Sequence, residues 1–160
     1  MFIQILTVVL LVALDQFSKY LAVLYLQPVS TAPLLPGVLQ LFYVENDGAA
    51  FSILAGNQIF LIIITTVALL ALCFWLFFKK PEKRLERICL VLILAGGIGN
   101  LIDRVLHRYV VDFFEVQFMQ FAVFNVADIF VTVGVALLLI SVISDEIKAY
   151  KAKGKTNDNA

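Results

Sequence analysis

Four long apolar stretches constrain this 160-residue sequence more than any other feature. They cover residues 1–26, 58–78, 88–106 and 121–143. A helix that crosses the hydrocarbon core of a bilayer needs roughly 20 predominantly apolar residues, and it satisfies its backbone hydrogen bonds internally. The sequence therefore predicts an all-α membrane protein with four transmembrane helices.

The composition argues against a soluble domain. Charged residues make up 15% of the chain, whereas a soluble domain has roughly 25%. The formal net charge is zero, so we expect no nucleic-acid partner. One histidine and two cysteines, in no zinc-binding pattern, give no reason to predict a metal site. We also expect no cofactor.

Lysine and arginine are concentrated in two segments. Loop 79–87 carries five of them and the tail 144–160 carries four, whereas segment 28–57 carries none. Because positive residues favour the cytoplasmic side of a membrane, we expect both termini inside and segment 28–57 as an outer loop. The first stretch lacks the basic start of a signal peptide and contains Asp15 and Lys19, so we expect it to be retained.

Two outer segments are predicted to be extended. Leu39–Val44 follows a Pro- and Gly-rich stretch, and Tyr109–Gln117 is rich in valine and phenylalanine, as is typical of strands. They predict a small extracytoplasmic β-containing cradle for an extended peptide. Aromatic side chains packed at the headgroup level are the alternative interpretation. The chain shows no internal repeat, and we expect residues 1–160 to form a single domain.

Asp112 and Asp128 lie in very apolar surroundings, with no Lys or Arg within three residues of either. Ionisable residues at membrane depth usually mark a functional site. When two carboxyl groups converge, one stays protonated while the other acts as a base, so a water can attack a peptide bond without a metal. The residues alone make this the best catalytic pair, with Glu115 a more distant candidate.

A polar stripe is predicted on the third helix. Gly96, Asn100 and Arg104 are spaced i, i+4, i+8, so they face the bundle interior and are candidates to contact or support a substrate. Gly96 permits close approach of a neighbouring backbone. Asp103 is expected to be neutralised by Arg104, its neighbour in the sequence, whose guanidinium also suits a carbonyl or phosphate.

Two further pairs have helical spacing. Asn125 and Asp128 are i, i+3, so the amide either orients the acid or caps the fourth helix. Asp15 and Lys19 are i, i+4 with the acid first, which favours a structural ion pair.

Two other classes of protein are alternatives to a peptidase. A small proton-coupled transporter also uses intramembrane carboxylates, but the sequence lacks the inverted repeats and paired broken helices of many transporters. A non-catalytic scaffold leaves the cost of two unpaired acids unexplained. Ser18 and Lys19 point to different helix faces, which argues against a Ser-Lys dyad.

Five blocks in order carry a resemblance to a known family: Asp15–Lys19, Asn46–Phe51, Gly96–Arg104, Val110–Phe113 and Phe124–Asp128. They resemble the successive motifs of bacterial lipoprotein signal peptidase, the signal peptidase II family. The resemblance extends from the first apolar stretch to the last, and no motif position departs from the pattern.

The resemblance implies a membrane aspartic endopeptidase with Asp112 and Asp128 as its catalytic dyad. It gives supporting or substrate-contacting places to Asn46, Gly48, Asn100, Arg104 and Asn125, and a structural place to Asp15 with Lys19.

The family removes the signal peptide of prolipoproteins just before a cysteine that already carries diacylglycerol. The expected partners are therefore diacylglyceryl-prolipoproteins, membrane lipid and inhibitors of the globomycin type. We expect a monomer in the bacterial cytoplasmic membrane, with its active site near the extracytoplasmic face.

Overall fold

The computed structural model describes residues 1–48, 54 and 56–157, with the side chains of 149 and 151–157 excepted. In this part of the chain four helices are long and apolar enough to cross a membrane. They are α1 (Phe2–Leu21), α2 (Gln58–Phe74), α3 (Arg84–His107) and α4 (Val126–Asn157). The predicted four-helix membrane fold with a small sheet is confirmed.

The helix ends differ from the predicted bounds. A π-helical turn continues α1 over Ala22–Leu26, and a second one continues α2 over Trp75–Lys79. The third helix begins at Arg84 rather than at residue 88. The predicted start of the fourth helix at residue 121 is wrong, because Phe124 is held in an extended conformation by backbone hydrogen bonds to Phe114.

Three antiparallel strands form one sheet in the order β1 (Thr31–Leu35), β2 (Leu39–Asn46) and β3 (Val110–Val116). The second and third strands agree closely with the two predicted extended segments. The first strand was not predicted, and it lies at the sheet edge, where Pro33 is tolerated because no partner needs its missing N–H.

A bulge separates two parts of the β2–β3 ladder. Leu41 lies opposite Phe114, whereas after the bulge Val44 lies opposite Asp112. Bulges re-aim side chains and often lie beside active sites. The extra residue in β2 therefore sets which side chain faces Asp112.

Helix α3 lies at the centre of the bundle and packs against α1, α2 and α4. Leu90 and Leu94 are fully buried within it. By contrast, α1 and α2 expose many large apolar side chains, as expected for surfaces that face lipid. The sheet packs at the end of α1, where Leu26 and Phe113 belong to one buried cluster.

Glycines let α4 approach α3 closely. A Cβ added at Gly96 would lie 2.3 Å from the Ala127 carbonyl oxygen, and one at Gly99 would lie 2.4 Å from Oδ2 of Asp15. Small residues at helix interfaces permit such backbone contact. These glycines let the start of α4, which carries Asp128, pack against α3 and against the Asp15 carboxylate of α1.

Candidate active site

Asp112 lies on β3 and is only 2% exposed. Its Oδ2 accepts a hydrogen bond from Nδ2 of Asn46 at 2.9 Å, and its Oδ1 accepts one from Nδ2 of Asn125 at 2.7 Å. Burial raises the pKa of Asp112 to about 6; the negative charge of Asp128 adds to this rise, whereas the two amide hydrogen bonds oppose it. A carboxyl group with such a pKa can carry a proton near neutrality.

Asp128 lies in the first turn of α4 and is partly exposed. Its Oδ1 accepts a hydrogen bond from Nδ2 of Asn100 at 2.8 Å. Its Oδ2 accepts the backbone N–H of Asn125 at 3.1 Å, while the Asp128 N–H donates to Oδ1 of Asn125 at 3.0 Å. This reciprocal exchange is a capping arrangement that begins the helix.

The buried amide of Asn125 links the two acids. Besides bonding Asp112, its Nδ2 donates to Oδ1 of Asn100 at 3.1 Å, and Asn100 in turn donates to Asp128. Asn125 therefore caps α4 and orients an acid, so the two sequence interpretations are compatible. The two aspartates converge on one amide network although they lie 16 positions apart in the sequence.

Behind the amides lies a buried cluster of charges. Nζ of Lys19 lies 3.0 Å from Oδ2 of Asp15 and 3.0 Å from Oδ2 of Asp103, with all three side chains at most 4% exposed. Gln16 donates to Asp15 at 3.2 Å and to Asp103 at 3.0 Å. The expected Asp15–Lys19 ion pair is present, and Asp103 completes it.

The prediction that Arg104 neutralises Asp103 is wrong, because adjacent helical residues point in different directions. Nη2 of Arg104 instead donates to the Gly48 carbonyl at 2.9 Å. The Gly48 N–H donates to Oδ1 of Asn46 at 2.9 Å, so this guanidinium fixes the turn that presents Asn46. The Ala49, Ala50 and Phe51 part of that motif lies outside the described residues.

A groove of about 980 Å³ opens at Asp112 and Asn46. One wall is formed by β2 and β3, and the other by residues 117–123. Glu115 lies in this groove, hydrogen-bonded to Gln40. The sequence placed Glu115 as a third catalytic candidate, but its hydrogen-bond partners lie on the strands and not in the amide network.

A second cavity of about 480 Å³ reaches Asp128 and is lined mainly by apolar side chains of residues 121–124, 129 and 131–133. Phe121, Ala122 and Val123 line both cavities. One acid therefore lies at a groove with polar walls and the other at an apolar crevice, with one segment between them.

The structure joins nearly all the predicted site residues in one network. Gly96 and Glu115 are the exceptions, since Gly96 packs against the backbone of α4 and Glu115 bonds Gln40 on β2. Sequence reasoning gave no role to Gln16, although it stands beside Asp15 in the first block. Among the described residues, no group of three or more His, Cys, Asp or Glu side chains is arranged to hold a metal ion.

The chain is similar to known proteins over most of its length. A family profile described as Signal peptidase (SPase) II matches residues 7–144. Lipoprotein signal peptidases of Streptococcus pyogenes serotypes M2 and M1 are each 42% identical over 142 residues, which cover 89% of this chain and 93% of theirs.

Solved structures agree with the fold. A bacterial membrane enzyme determined by the in meso method at 2.3 Å superimposes with a TM-score of 0.85 at 33% identity, over 91% of this chain and 90% of that one. A second, at 1.9 Å, gives a TM-score of 0.82 at 33% identity, over 91% and 95%.

Proposed function

The chain belongs to the signal peptidase II family, and from that premise we propose that Asp112 and Asp128 are the catalytic dyad with which it cleaves prolipoproteins. Lipoprotein signal peptidases are membrane proteases, which favours this function over the transporter. The proposed cut lies just before the diacylglyceryl-modified cysteine. The observation that carries the dyad is the shared amide network of Asn100 and Asn125, which points donors at both carboxylates.

The two acids differ in exposure, and this difference supports different roles for them. Asp128 is partly exposed and can reach a water molecule, whereas Asp112 is buried with its pKa raised to about 6. Asp128 therefore takes a proton from the attacking water as general base. Asp112 donates its proton to the scissile carbonyl oxygen as general acid.

The remaining proton transfers return both aspartates to their starting states. The water oxygen bonds to the carbonyl carbon, and the tetrahedral intermediate collapses with breakage of the C–N bond. The proton held by Asp128 passes to the leaving cysteine nitrogen, and Asp112 recovers a proton as the carbonyl re-forms. The products are a signal peptide with a free carboxylate and a lipoprotein with a free amino group.

The amides keep this geometry fixed. Asn46 and Asn125 hold Asp112 from two sides, and Asn100 holds Asp128. Catalytic groups must lie close to their productive positions, because small displacements cost large factors in rate. Arg104 contributes indirectly, through the turn that carries Asn46.

The two cavities fit the two parts of the substrate. The groove beside Asp112 has strand walls that suit an extended peptide, while the apolar crevice beside Asp128 suits acyl chains. In a lipid-modified cysteine, the acyl chains and the scissile bond are a few bonds apart. The wall formed by Phe121, Ala122 and Val123 would separate them, and acyl binding would position the bond.

We propose the remaining features from the family and the charge pattern. Both termini lie in the cytoplasm and the dyad lies near the extracytoplasmic face, because loop 79–87 carries the cations. Membrane lipid surrounds a monomer, and cyclic peptides of the globomycin type compete for the groove.

The dyad is tested by cleavage of a diacylglyceryl-modified prolipoprotein in liposomes. Asp112→Asn and Asp128→Asn keep the shape of the side chain and lose its proton chemistry, so each should lose turnover by at least about 10³-fold. Asp145→Asn is the matched control, since that carboxylate is 37% exposed and pairs with Lys83. Lys83 immediately precedes α3, so this pair lies at the end of the helix bundle opposite the dyad.

Cleavage by the wild type in the presence of EDTA, with both dyad variants folded and inactive, supports a metal-free aspartic mechanism. If either variant cleaves at a rate near that of the wild type, the dyad is wrong. Inhibition of the wild type by EDTA would argue against the metal-free chemistry.

A further inference from the structure

The ammonium group of Lys19 contacts more acceptors than neutralisation requires. Two carboxylates, of Asp15 and Asp103, already lie 3.0 Å from it. Its third contact is a neutral one, to Oδ1 of Asn100 at 2.9 Å. An ammonium has three donors and no acceptor, and in this cluster all of them are used.

Together with Nδ2 of Asn125, which donates to the same oxygen at 3.1 Å, the third contact fixes which way the Asn100 amide points. An amide presents an oxygen on one side and an NH₂ group on the other. Because Lys19 can only donate, the oxygen must face it, and the NH₂ group must then face Asp128, 2.8 Å away. The reversed amide would set donors against the ammonium and an oxygen against the Asp128 carboxylate.

The carboxylates that hold Lys19 are themselves fixed to the backbone beside each acid. Oδ1 of Asp15 accepts the Ala127 N–H at 2.9 Å, and Oδ2 of Asp103 accepts the Val111 N–H at 3.2 Å. Ala127 immediately precedes Asp128, and Val111 immediately precedes Asp112. The cluster therefore has a contact one residue from each member of the dyad.

We propose that Lys19 is a positioning residue for peptide cleavage, which selects the orientation of the Asn100 amide and thereby aligns Asp128. This inference rests on the proposed dyad, and it assigns to Lys19 a function beyond that of a structural ion pair. Lys19 does not touch the substrate; it acts through Asn100.

The charge of Lys19 also influences Asp112. The ammonium lowers the pKa of Asp112 against the larger effect of burial, while Asp128 from α4 raises it. Arg104 from α3 also interacts electrostatically with Asp112. Removal of the ammonium would let Asp112 keep its proton to higher pH, which moves the alkaline limb of the rate profile upward.

Lys19→Met is the main test, with Lys83→Met as its matched control. Lys83 also pairs with two carboxylates, of Glu86 and Asp145, but far from the dyad. Since Lys19→Met leaves two buried carboxylates without a cation, Lys19→Met/Asp103→Asn supplies a second variant with the net charge of the original cluster. Each is assayed for kcat, KM, pH profile and thermal midpoint in detergent.

We expect Lys19→Met, or its charge-matched form, to lower kcat about 10- to 100-fold, as loss of an orienting partner commonly does, with KM close to that of Lys83→Met. The alkaline limb should move to higher pH. In single-turnover assays, Lys19→Met should have little further effect in an Asn100→Ala background, because residues that act through one another are not additive.

A kcat equal to that of Lys83→Met, or an unshifted alkaline limb, would overturn the inference. Additive effects of Lys19→Met and Asn100→Ala would overturn it as well. If Asn100→Ala has no measurable activity, the position of the alkaline limb in the rate profile of Lys19→Met decides the question. Failure of both Lys19 variants to fold would assign the residue to structure alone. Activity in Asp112→Asn would instead refute the dyad, so the two failures are distinguishable.

Discussion

Replacement of Gly99 by alanine should destabilise this protein, although alanine is the better helix former. A Cβ at this position would lie 2.4 Å from Oδ2 of Asp15, 3.0 Å from its Cγ and 3.3 Å from the Ala127 Cβ. Asp15 cannot move aside freely, because Lys19, Gln16 and the Ala127 N–H hold its two oxygens. Either α3 separates from α1 and α4, or the carboxylate leaves its partners.

The magnitude follows from three contributions. Overpacking of a tight contact costs about 1 to 3 kcal/mol, and the loss of a hydrogen bond to a charged group costs about 1.5 to 3 kcal/mol. The helix propensity of alanine returns about 1 kcal/mol. The expected net loss in the free energy of unfolding is therefore about 1.5 to 5 kcal/mol.

Gly97→Ala is the matched control on the same helix. Its Cβ would meet a methyl carbon of Leu69, at 2.6 Å, which is the end of a flexible side chain and can rotate away. We expect this variant to lie within about 1 kcal/mol of wild type. Thermal and denaturant unfolding in detergent compare the two, and cleavage is measured well below both midpoints.

Gly99→Ala should also lower kcat, because Asp15 holds the backbone one residue before Asp128. Equal midpoints for Gly99→Ala and Gly97→Ala would refute the reasoning, since they would mean that the carboxylate yields without cost. A lower midpoint with unchanged kcat would show that the contact serves packing and not the alignment of the dyad.

Three other predictions concern charge and topology. The fold raises the pKa of Asp112 to about 6, so this group stabilises the fold most at low pH. Relative to Asp112→Asn, the wild type should lose up to about 3 kcal/mol in the free energy of unfolding as pH rises from 4 through 6. A difference in thermal midpoint that does not change with pH would contradict this. Arg104→Lys should lower kcat about tenfold or more, because a lysine cannot reproduce the guanidinium contact with the turn after β2. Arg108→Lys changes an exposed side chain and should leave kcat unchanged. Equal rates for the two variants would exclude a positioning role for Arg104. In a variant without native cysteines, a cysteine that replaces Lys83 should react with an impermeant maleimide only after the membrane is opened. A cysteine that replaces Gln117 should react in intact cells. The reverse pattern would invert the proposed topology.

The sequence predicted the helices well because the thickness of a bilayer sets a local requirement that each apolar stretch meets by itself. The predictions were wrong at the ends of elements, where contacts with residues distant in the sequence determine the boundary. The fourth helix starts late because Phe124 pairs with Phe114. The edge strand Thr31–Leu35 contains Pro33, which weakens any strand signal in the sequence, and its pairing with β2 supplies what its residues do not.

The sequence predicted which residues form the candidate site but not which of them contact one another. Asp112 and Asp128 stood out because no cation neighbours them in the sequence. Helical spacing could not show that Asn125 reaches both Asp112 and Asn100, since those residues come from a strand and another helix. Asp103 was assigned to its sequence neighbour, whereas its partner is 84 positions away on α1.

Three buried charges are an expensive way to join helices. Each buried ion carries a desolvation penalty, and apolar residues of similar volume often replace such clusters without loss of stability. In this protein the hydrogen bonds of the cluster end at the N–H groups of Val111 and Ala127 and at the amide of Asn100. Apolar replacements could pack the same helices but could not fix those three groups, so the cost of the cluster is better explained by alignment of the two aspartates than by stability.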